Sequence, residues 1–314
     1  MLNISVIIPV YNAEVFLEKA VNSALQHDEV KEILLIEDKS TDTSLELCRK
    51  LAAENSKIFL LQHPDKGNHG AGASRNLGLE KATQDFIAFL DADDYYLPNR
   101  FEAEKELFKD PKIEGVFGAI GTEFLSEKGK KEFQEKFKQV TLTTVKYPAE
   151  GAQVFEGLMG IRKGFGHFFH LNTLTVKAEN IKKNKLKFNE KLRIHQDTDF
   201  IVKMSYHLYL KSGIIDKAVA IRGVHDDNRI TKVKQYSSTY FRNMFLLYES
   251  RYIWSKKQEK LSPVLKKTIK NRYISYRIAT RTGFSKYFTY VTNSLFNPVL
   301  LKTRYRFVAL KKHL

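Results

Sequence analysis

The sequence predicts an α/β fold, with a mostly parallel, doubly wound sheet flanked by helices and then a helical, basic C-terminal extension. Strand and helix patterns alternate up to residue 95, an order typical of parallel sheets with right-handed crossovers. The charge is also unevenly divided along the chain. Residues 231–314 hold 19 Lys and Arg against two acids, and their net charge of +17 exceeds the +16 of all 314 residues.

The first element is the continuous apolar run Ile4–Val10, which is typical of a strand buried on both faces of a sheet. Further strands are expected at Glu32–Asp38, Ile58–Gln62 and Phe86–Asp91. Helical spacing of apolar residues places helices between them at Ala13–Leu25, at Ser44–Ala53 behind a Ser40-Thr41-Asp42 cap, and from the glycine-rich turn Gly67–Gly72 through Lys81.

From residue 95 to about 230 the pattern is mixed. Helices are expected at Leu97–Phe108 and Gln196–Leu208, strands at Gly115–Leu125, Leu174–Lys177 and Ala218–Val224, and an exposed helix or flexible loop at Ser126–Lys138. The segment Tyr236–Leu310 is expected to be helical and is rich in aromatic residues. The chain therefore divides into residues 1–95, 96–230 and 231–314.

The composition restricts where the protein works. The only cysteine is Cys48, which excludes an intramolecular disulfide and favours a reducing compartment. The first ten residues carry no basic segment before their apolar run, unlike a signal peptide. No apolar run approaches the roughly 18 residues of a membrane span. A cytoplasmic protein is expected.

The most informative motif is the run Phe86–Asp94, in which a strand pattern delivers Asp91, Asp93 and Asp94 within four residues. In an open α/β sheet, ligands bind at the carboxyl ends of the strands. Carboxylates favour hard cations such as Mg²⁺ or Mn²⁺, which commonly carry substrate phosphates. Alone, the motif could equally be a solvated acidic turn.

Three other side chains are expected at the same edge of the sheet. Tyr11 follows the first strand and could pack on a nucleobase, and Asp38 ends the second and could accept hydrogen bonds from a base or ribose. Arg75 lies in a helix whose N-terminus favours phosphate. The alternatives are core packing for Tyr11, a helix cap for Asp38 and a surface ion pair for Arg75. Dinucleotide-binding and P-loop glycine patterns are absent from the sequence.

Four segments in order carry a specific resemblance: Val6–Asn12, Ile36–Asp42, Gly70–Gly78 and Phe89–Asp94. Together they resemble the signature of family 2 glycosyltransferases, of the bacterial polysaccharide type. The resemblance implies an inverting enzyme with the Rossmann-like GT-A fold. It implies a nucleotide-sugar-binding half at residues 1–95 and an acceptor-binding, catalytic half at 96–230.

The resemblance also implies roles for single residues in the donor site. Asp38 matches the acid that reads the nucleobase, and Pro9 and Tyr11 match the surface on which the base packs. Asp91 matches the ribose-side member of the D-x-D pair, and Arg75 remains available for phosphate.

The implied metal and catalytic residues lie further along the chain. Asp93 matches the direct metal ligand, and His225 matches a histidine that meets the metal or the diphosphate. Asp197 matches the catalytic base, which in the family follows a glutamate; here Gln196 takes that place, and Asp199 remains an alternative base.

The chemistry requires these residue types. Inverting transfer passes through an oxocarbenium-like state and needs a carboxylate to take the acceptor's proton, while a cation stabilises the leaving diphosphate. We expect a Mg²⁺- or Mn²⁺-dependent transferase that moves a sugar from a nucleotide donor, with UDP favoured, to a glycan or lipid-linked acceptor in cell-surface polysaccharide synthesis. The alternatives are a sugar-phosphate nucleotidyltransferase and an inactive glycan-binding or membrane scaffold protein.

The basic segment 231–314 interleaves Lys and Arg with Tyr, Phe and Trp. This combination suits an anionic membrane surface, which predicts peripheral attachment at the inner face of the membrane. The alternatives are a solvated helical surface with its own small core, or a protein partner. Nucleic acid is not expected as a partner because no recognition motif accompanies the charge.

Overall fold

The computed structural model describes residues 2–137, 141–166, 168–226 and 233–311. The chain forms two compact units. The first, the sheet unit, comprises Met1–Glu190 and Phe200–Asn228, and the second, the C-terminal unit, comprises Lys191–Asp199 and Arg229–Leu314. The predicted boundary between residues 230 and 231 lies outside the described residues.

Ten strands are described. They are β1 (Ile4–Val10), β2 (Val30–Glu37), β3 (Ile58–Gln62), β4 (Phe86–Phe89), β5 (Tyr95–Tyr96), β6 (Gly115–Phe117), β7 (Ala119–Phe124), β8 (Leu174–Lys177), β9 (Leu210–Ser212) and β10 (Ala218–Val224). Most of the strands and helices expected from apolar periodicity are present, with ends that differ by a few residues.

The described helices fall into two groups. The sheet unit contains α1 (Leu17–Leu25), α2 (Ser44–Glu54), α3 (Ala71–Lys81), α4 (Glu102–Leu107), α5 (Glu127–Phe137), α6 (Ala152–Leu158) and α7 (Ala178–Lys183), and α8 (Gln196–His207) begins in the C-terminal unit and ends in the sheet unit. The C-terminal unit continues with α9 (Ser238–Lys256), α10 (Pro263–Ala279), α11 (Gly283–Phe296) and α12 (Thr303–Leu310).

The main sheet has seven strands in the order β3-β2-β1-β4-β8-β6-β9. β1 pairs in parallel with β2 and β4, and β2 pairs in parallel with β3, whereas β8 is antiparallel to β4 and to β6. Val10 lies opposite Glu37 in the register, so β1 and β2 end together. Residues that follow β1, β2 and β4 therefore share one edge, which we call the carboxyl edge.

A second, three-stranded sheet has the order β5-β10-β7, with β10 antiparallel to β5 and parallel to β7. The predicted single strand Gly115–Leu125 is divided between the two sheets at Gly118. A Cβ at Gly118 would lie 2.9 Å from the carbonyl oxygen of Ile214. The backbone at residue 118 therefore passes close to the backbone at Ile214, and only glycine fits there without displacing it.

The helix predicted from Leu97 begins at Glu102. Tyr95–Tyr96 pairs with β10, and the Leu97 N–H donates to the Val219 carbonyl, 3.0 Å away. Leu97 also precedes Pro98, which disfavours helical backbone at the preceding residue. The helix therefore begins later in the sequence than predicted, because the residues before it pair with a distant strand.

The C-terminal unit has a core that contains many aromatic side chains. The rings of Tyr248 and Tyr276 stack with centroids 5.0 Å apart, and Tyr252 stacks on Tyr273 at 4.8 Å. Ile278 and Tyr305 are buried in the same unit. None of the helices in the described ranges is both long and apolar enough to cross a bilayer.

Candidate active site

Asp94 is the buried acid of the run that follows β4. Its Oδ1 accepts the Gly223 N–H of β10 at 2.9 Å, and its Oδ2 accepts a hydrogen bond from the Asn172 amide. Burial, followed by the charges of Asp93 and Asp91, raises the pKa of Asp94 well above its usual range, although Arg222 opposes this. Asp94 therefore fastens the acidic run to β10 and to the turn at residues 171–173.

Asp93 and His225 meet at this point. The Asp93 Oδ2 lies 3.1 Å from the His225 Nε2, and the two side chains are 35% and 17% exposed. The Phe16 ring packs on the imidazole, with centroids 4.7 Å apart. Two adjacent ligands of an octahedral cation with bonds of about 2.1 Å lie about 3 Å apart. This separation is that of an ordinary hydrogen bond, and it is also compatible with two ligands of one divalent cation.

A second cluster of possible ligands lies close by. Atoms of Asp91, Asp94 and His170 lie within 4.8 Å of one another. Both oxygens of Asp94 already accept hydrogen bonds from protein donors, and Asp91 is ion-paired to Arg75. The side chains of Asp93 and His225 are more exposed than that of Asp94, which makes them the more accessible candidate ligands.

Arg75 and Asp91, predicted separately to contact the donor, form an ion pair with each other. The Arg75 side chain is only 6% exposed, its guanidinium lies 5.6 Å from the Phe188 ring centroid, and its Nε is buried without a hydrogen-bond partner in the described part of the chain. The Asp91 N–H donates to the Asn172 Oδ1 at 3.1 Å. The predicted surface ion pair of Arg75 is therefore a buried one that supports the acidic run.

Asp38 lies buried at the end of β2. Its two carboxylate oxygens accept the N–H groups of His69 and Gly70, each at 2.7 Å. Gly70 has a φ of +85°, a value that favours glycine. Asp38 thus holds the turn that precedes α3, whose first helical residue is Ala71. A carboxylate has about four lone-pair positions, so these two bonds do not use all of the acceptor capacity of Asp38, of which 3% is exposed.

Two histidines lie beside Asp38, and the sequence analysis assigned neither of them a role of its own. The His63 Nε2 lies 3.7 Å from the Asp38 Oδ1, and the rings of His63 and His69 lie 4.4 Å apart. His63 follows β3 directly. Its position after a predicted strand was a usable signal, because each of the neighbouring strands also ends in a candidate site residue.

Tyr11 is 45% exposed, so the core-packing alternative for this residue is wrong. The neighbouring Asn12, with a φ of +49°, accepts the Thr41 N–H at 2.8 Å on its Oδ1. Pro9 pairs opposite Ile36 within β1. The loops after β1 and β2 are therefore tied together, with the Tyr11 ring accessible to a ligand.

The two candidate bases differ in their surroundings within the C-terminal unit. Asp199 is buried, accepts a hydrogen bond from the Ser250 hydroxyl at 2.9 Å, and lies 3.8 Å from the Arg251 Nε. Asp197 lies in the first turn of α8 and is partly exposed. A base must reach an acceptor hydroxyl, and this requirement favours Asp197 over Asp199.

Gly223 offers a test of how β10 positions the acidic run. A Cβ at Gly223 would lie 2.4 Å from the Asp93 carbonyl oxygen. We expect Gly223→Ala to lower the free energy of unfolding by about 1–3 kcal/mol and to weaken Mn²⁺ binding. The matched control is Gly121→Ala on β7, where the added Cβ meets the movable end of Ile221 at 2.7 Å. Urea denaturation and calorimetry with Mn²⁺ measure both effects. Equal Mn²⁺ affinity in both variants would contradict the prediction.

Comparison with known proteins adds to this geometry. A family model described as glycosyl transferase family 2 matches residues 5–169. An uncharacterized glycosyltransferase from Haemophilus influenzae is 41% identical over 102 residues, a match that spans 32% of this chain and 40% of that protein. A Campylobacter jejuni protein named GalNAc(5)-diNAcBac-PP-undecaprenol beta-1,3-glucosyltransferase is 28% identical over 263 residues, 76% of this chain and 79% of that protein.

Solved structures share the fold. The crystal structure of S. aureus TarS residues 1–349 with UDP-GlcNAc has a TM-score of 0.59 at 18% identity and covers 96% of this chain and 76% of its own. The structure of the mannosyltransferase PcManGT from Pyrobaculum calidifontis with GDP-Man and Mn²⁺ has a TM-score of 0.52 at 14% identity. The match covers 97% of this chain and 82% of that chain.

Proposed function

Since this chain belongs to glycosyl transferase family 2 and has the GT-A fold, we propose that it transfers a sugar from a nucleotide diphosphate donor to an acceptor hydroxyl with inversion. The observation that carries the proposal is the Asp93–His225 pair, with its ligand atoms 3.1 Å apart at the carboxyl edge. This edge also carries Tyr11 after β1 and Asp38 after β2, where ligands of open α/β sheets bind.

Each residue has a role in the proposed reaction. Asp93 and His225 would hold Mg²⁺ or Mn²⁺, which would supply positive charge to the leaving diphosphate. Arg75 fixes Asp91 on the ribose side of the site and adds positive charge beside the acidic run. Asp197 takes the proton of the attacking acceptor hydroxyl.

We infer that UDP is the nucleotide of the donor. Asp38 retains lone pairs that can accept the ring N–H of uracil, while the exposed Tyr11 ring and Pro9 provide a surface for the base. The likeness to TarS, whose structure contains UDP-GlcNAc, supports this choice. The likeness to PcManGT, whose structure contains Mn²⁺, supports a metal-dependent donor site.

We infer that the acceptor is a glycan or a lipid-linked glycan in cell-surface polysaccharide synthesis. The name of the Campylobacter jejuni relative includes an undecaprenol diphosphate. The net charge of +17 in residues 231–314 supports attachment to an anionic membrane surface. The enzyme would then work at the cytoplasmic face of that membrane, on an acceptor held in the lipid.

Thermal shift with UDP, GDP, CDP and dTDP, each with and without Mn²⁺, tests the donor site. We expect UDP to stabilise the protein only with the metal, and Asp93→Ala to remove that shift, because a ligand that binds only the folded state raises its melting temperature. Asp28→Ala is the control, since this exposed acid precedes β2 at the opposite edge of the sheet. Retention of a full UDP shift in Asp93→Ala would contradict the assigned metal site.

A further inference from the structure

The C-terminal unit contains a groove of about 940 Å³ between the end of α9, the length of α10 and the end of α11. Five of its lining side chains are cations: Lys256, Lys266, Lys267, Lys270 and Arg277. No Asp or Glu lines the groove in the described part of this unit. The donor site lies in the sheet unit and uses none of these residues.

Four of the five groove cations lie on one helix, α10, and Lys256 ends α9. Lys266, Lys267 and Lys270 lie within two turns of α10, and like charges at helical spacing repel one another. The Arg277 Nε is buried without a hydrogen-bond partner among the described residues. Both features have an unfavourable electrostatic or desolvation cost, which a bound anion would offset.

The chemistry of the groove fits a phosphate group. Lysine ammonium and arginine guanidinium groups are the side chains that hold phosphate through several charge-assisted hydrogen bonds. The amides of Asn271 and Asn297 also line the groove and are joined by a 2.7 Å hydrogen bond. The groove therefore offers positively charged donors from both α9 and α10.

An exposed apolar surface adjoins the groove. α11 exposes large apolar side chains at positions 284, 288, 291 and 295, a spacing that places them along one side of the helix. Phe296, at the end of α11, is 92% exposed and itself lines the groove. Exposed apolar side chains beside clustered cations are the arrangement found where proteins lie on lipid.

We propose that this groove binds the phosphate headgroup of a membrane lipid while the apolar side of α11 enters the headgroup–acyl boundary. This inference rests on the proposed membrane attachment of the enzyme, and it specifies which part of the chain makes that attachment. The inference assigns the contact with lipid to one groove. Nonspecific electrostatic attraction to the membrane would instead involve all the basic residues of the C-terminal unit. A free phosphate or diphosphate would use the same cations but not α11.

The test compares two quadruple variants of equal charge. The groove variant replaces Lys256, Lys266, Lys267 and Lys270 with Gln, and the control variant replaces Lys234, Arg242, Lys302 and Arg306, which are exposed and do not line the groove. Vesicles of neutral lipid, with and without phosphatidylglycerol or phosphatidic acid, are floated with the full chain in EDTA. A third variant replaces Leu295 and Phe296 with Ser.

We expect the groove variant to bind anionic vesicles about a thousandfold more weakly than the original protein, since each of the four cations near the surface contributes about 1 kcal/mol. The control variant should stay within about threefold, because none of its four charges lines the groove. The Leu295 and Phe296 variant should lose vesicle binding but keep calorimetric binding of inorganic pyrophosphate. The groove variant should lose both vesicle binding and pyrophosphate binding.

Several results would overturn the proposal. Equal losses in the groove and control variants would show diffuse attraction, and pyrophosphate binding without vesicle binding in the original protein would indicate a free phosphate ligand. Binding of single-stranded RNA that depends on the groove but not on Leu295 and Phe296, together with no vesicle binding, would indicate a nucleic-acid surface. The Mn²⁺-dependent UDP shift, measured on every variant, separates failure of this inference from failure of the donor site.

Discussion

Asp197→Asn is expected to lower the turnover of the nucleotide-sugar donor by about 10²–10⁴-fold, the usual contribution of a general base. Asparagine preserves the size of the side chain but cannot take the proton of the acceptor hydroxyl. The Mn²⁺-dependent thermal shift with UDP should be unchanged, because no donor-binding role is assigned to Asp197. Single-turnover kinetics with saturating donor measure the loss directly.

Asp199→Asn is the matched control, two residues further along α8. Asp199 is buried beside Arg251 and Ser250, so this change leaves a buried guanidinium without its counter-charge and lowers stability. Turnover per folded molecule should stay within about tenfold of the original, below the usual effect of a lost base. Large loss of turnover in Asp199→Asn with unchanged melting temperature, and none in Asp197→Asn, would reassign the base to Asp199.

Local patterns were sufficient to predict the first half of the fold. β1 and β3 begin and end where the apolar runs Ile4–Val10 and Ile58–Gln62 do. For β1 the reason is that a parallel strand buried on both faces leaves an uninterrupted apolar signal. The glycine-rich turn before α3 was equally visible. Since parallel strands end at one edge, the ordered motifs also placed Tyr11, Asp38 and the acidic run together.

The rest of the fold and site depends on contacts between distant residues. The division of the Gly115–Leu125 segment at Gly118 follows from the approach of Ile214, and the short helices α6 and α7 are only seven and six residues long. The roles of Asp94 and Asp91 depend on Asn172, about 80 positions away in the chain. Single-sequence periodicity contains no information about such partners.

The buried ion pair between Arg100 and Glu104 links the fold to this site. Their side chains lie 2.5 Å apart, and the exposed fractions are 0% and 4%. The Arg100 guanidinium also donates to the carbonyls of Asn172 and Leu174, at 2.8 and 3.0 Å. Arg100 therefore supports the turn whose Asn172 side chain bonds to both Asp91 and Asp94.

Arg100→Met should lower the free energy of unfolding by about 3–5 kcal/mol, because it leaves the Glu104 carboxylate buried without its counter-charge. The matched control is Arg49→Met, whose partner Glu46 lies 3.9 Å away with both side chains more than half exposed, and it should cost less than about 1 kcal/mol. Urea denaturation followed by circular dichroism measures both. Similar decreases in the free energy of unfolding of the two variants would contradict the assignment of Arg100 and Glu104 as a buried ion pair.

The decrease in the free energy of unfolding caused by Arg100→Met should also depend on pH. Burial raises the pKa of Glu104 above its ordinary value, and Arg100 opposes that rise, so removing Arg100 raises the pKa further. A carboxyl group whose pKa is higher in the folded state makes folding less favourable as pH increases. The deficit against the original protein should therefore be smaller at about pH 5 than at about pH 8. Adding Glu104→Leu should recover part of the stability and remove this pH dependence, because no buried carboxylate then remains.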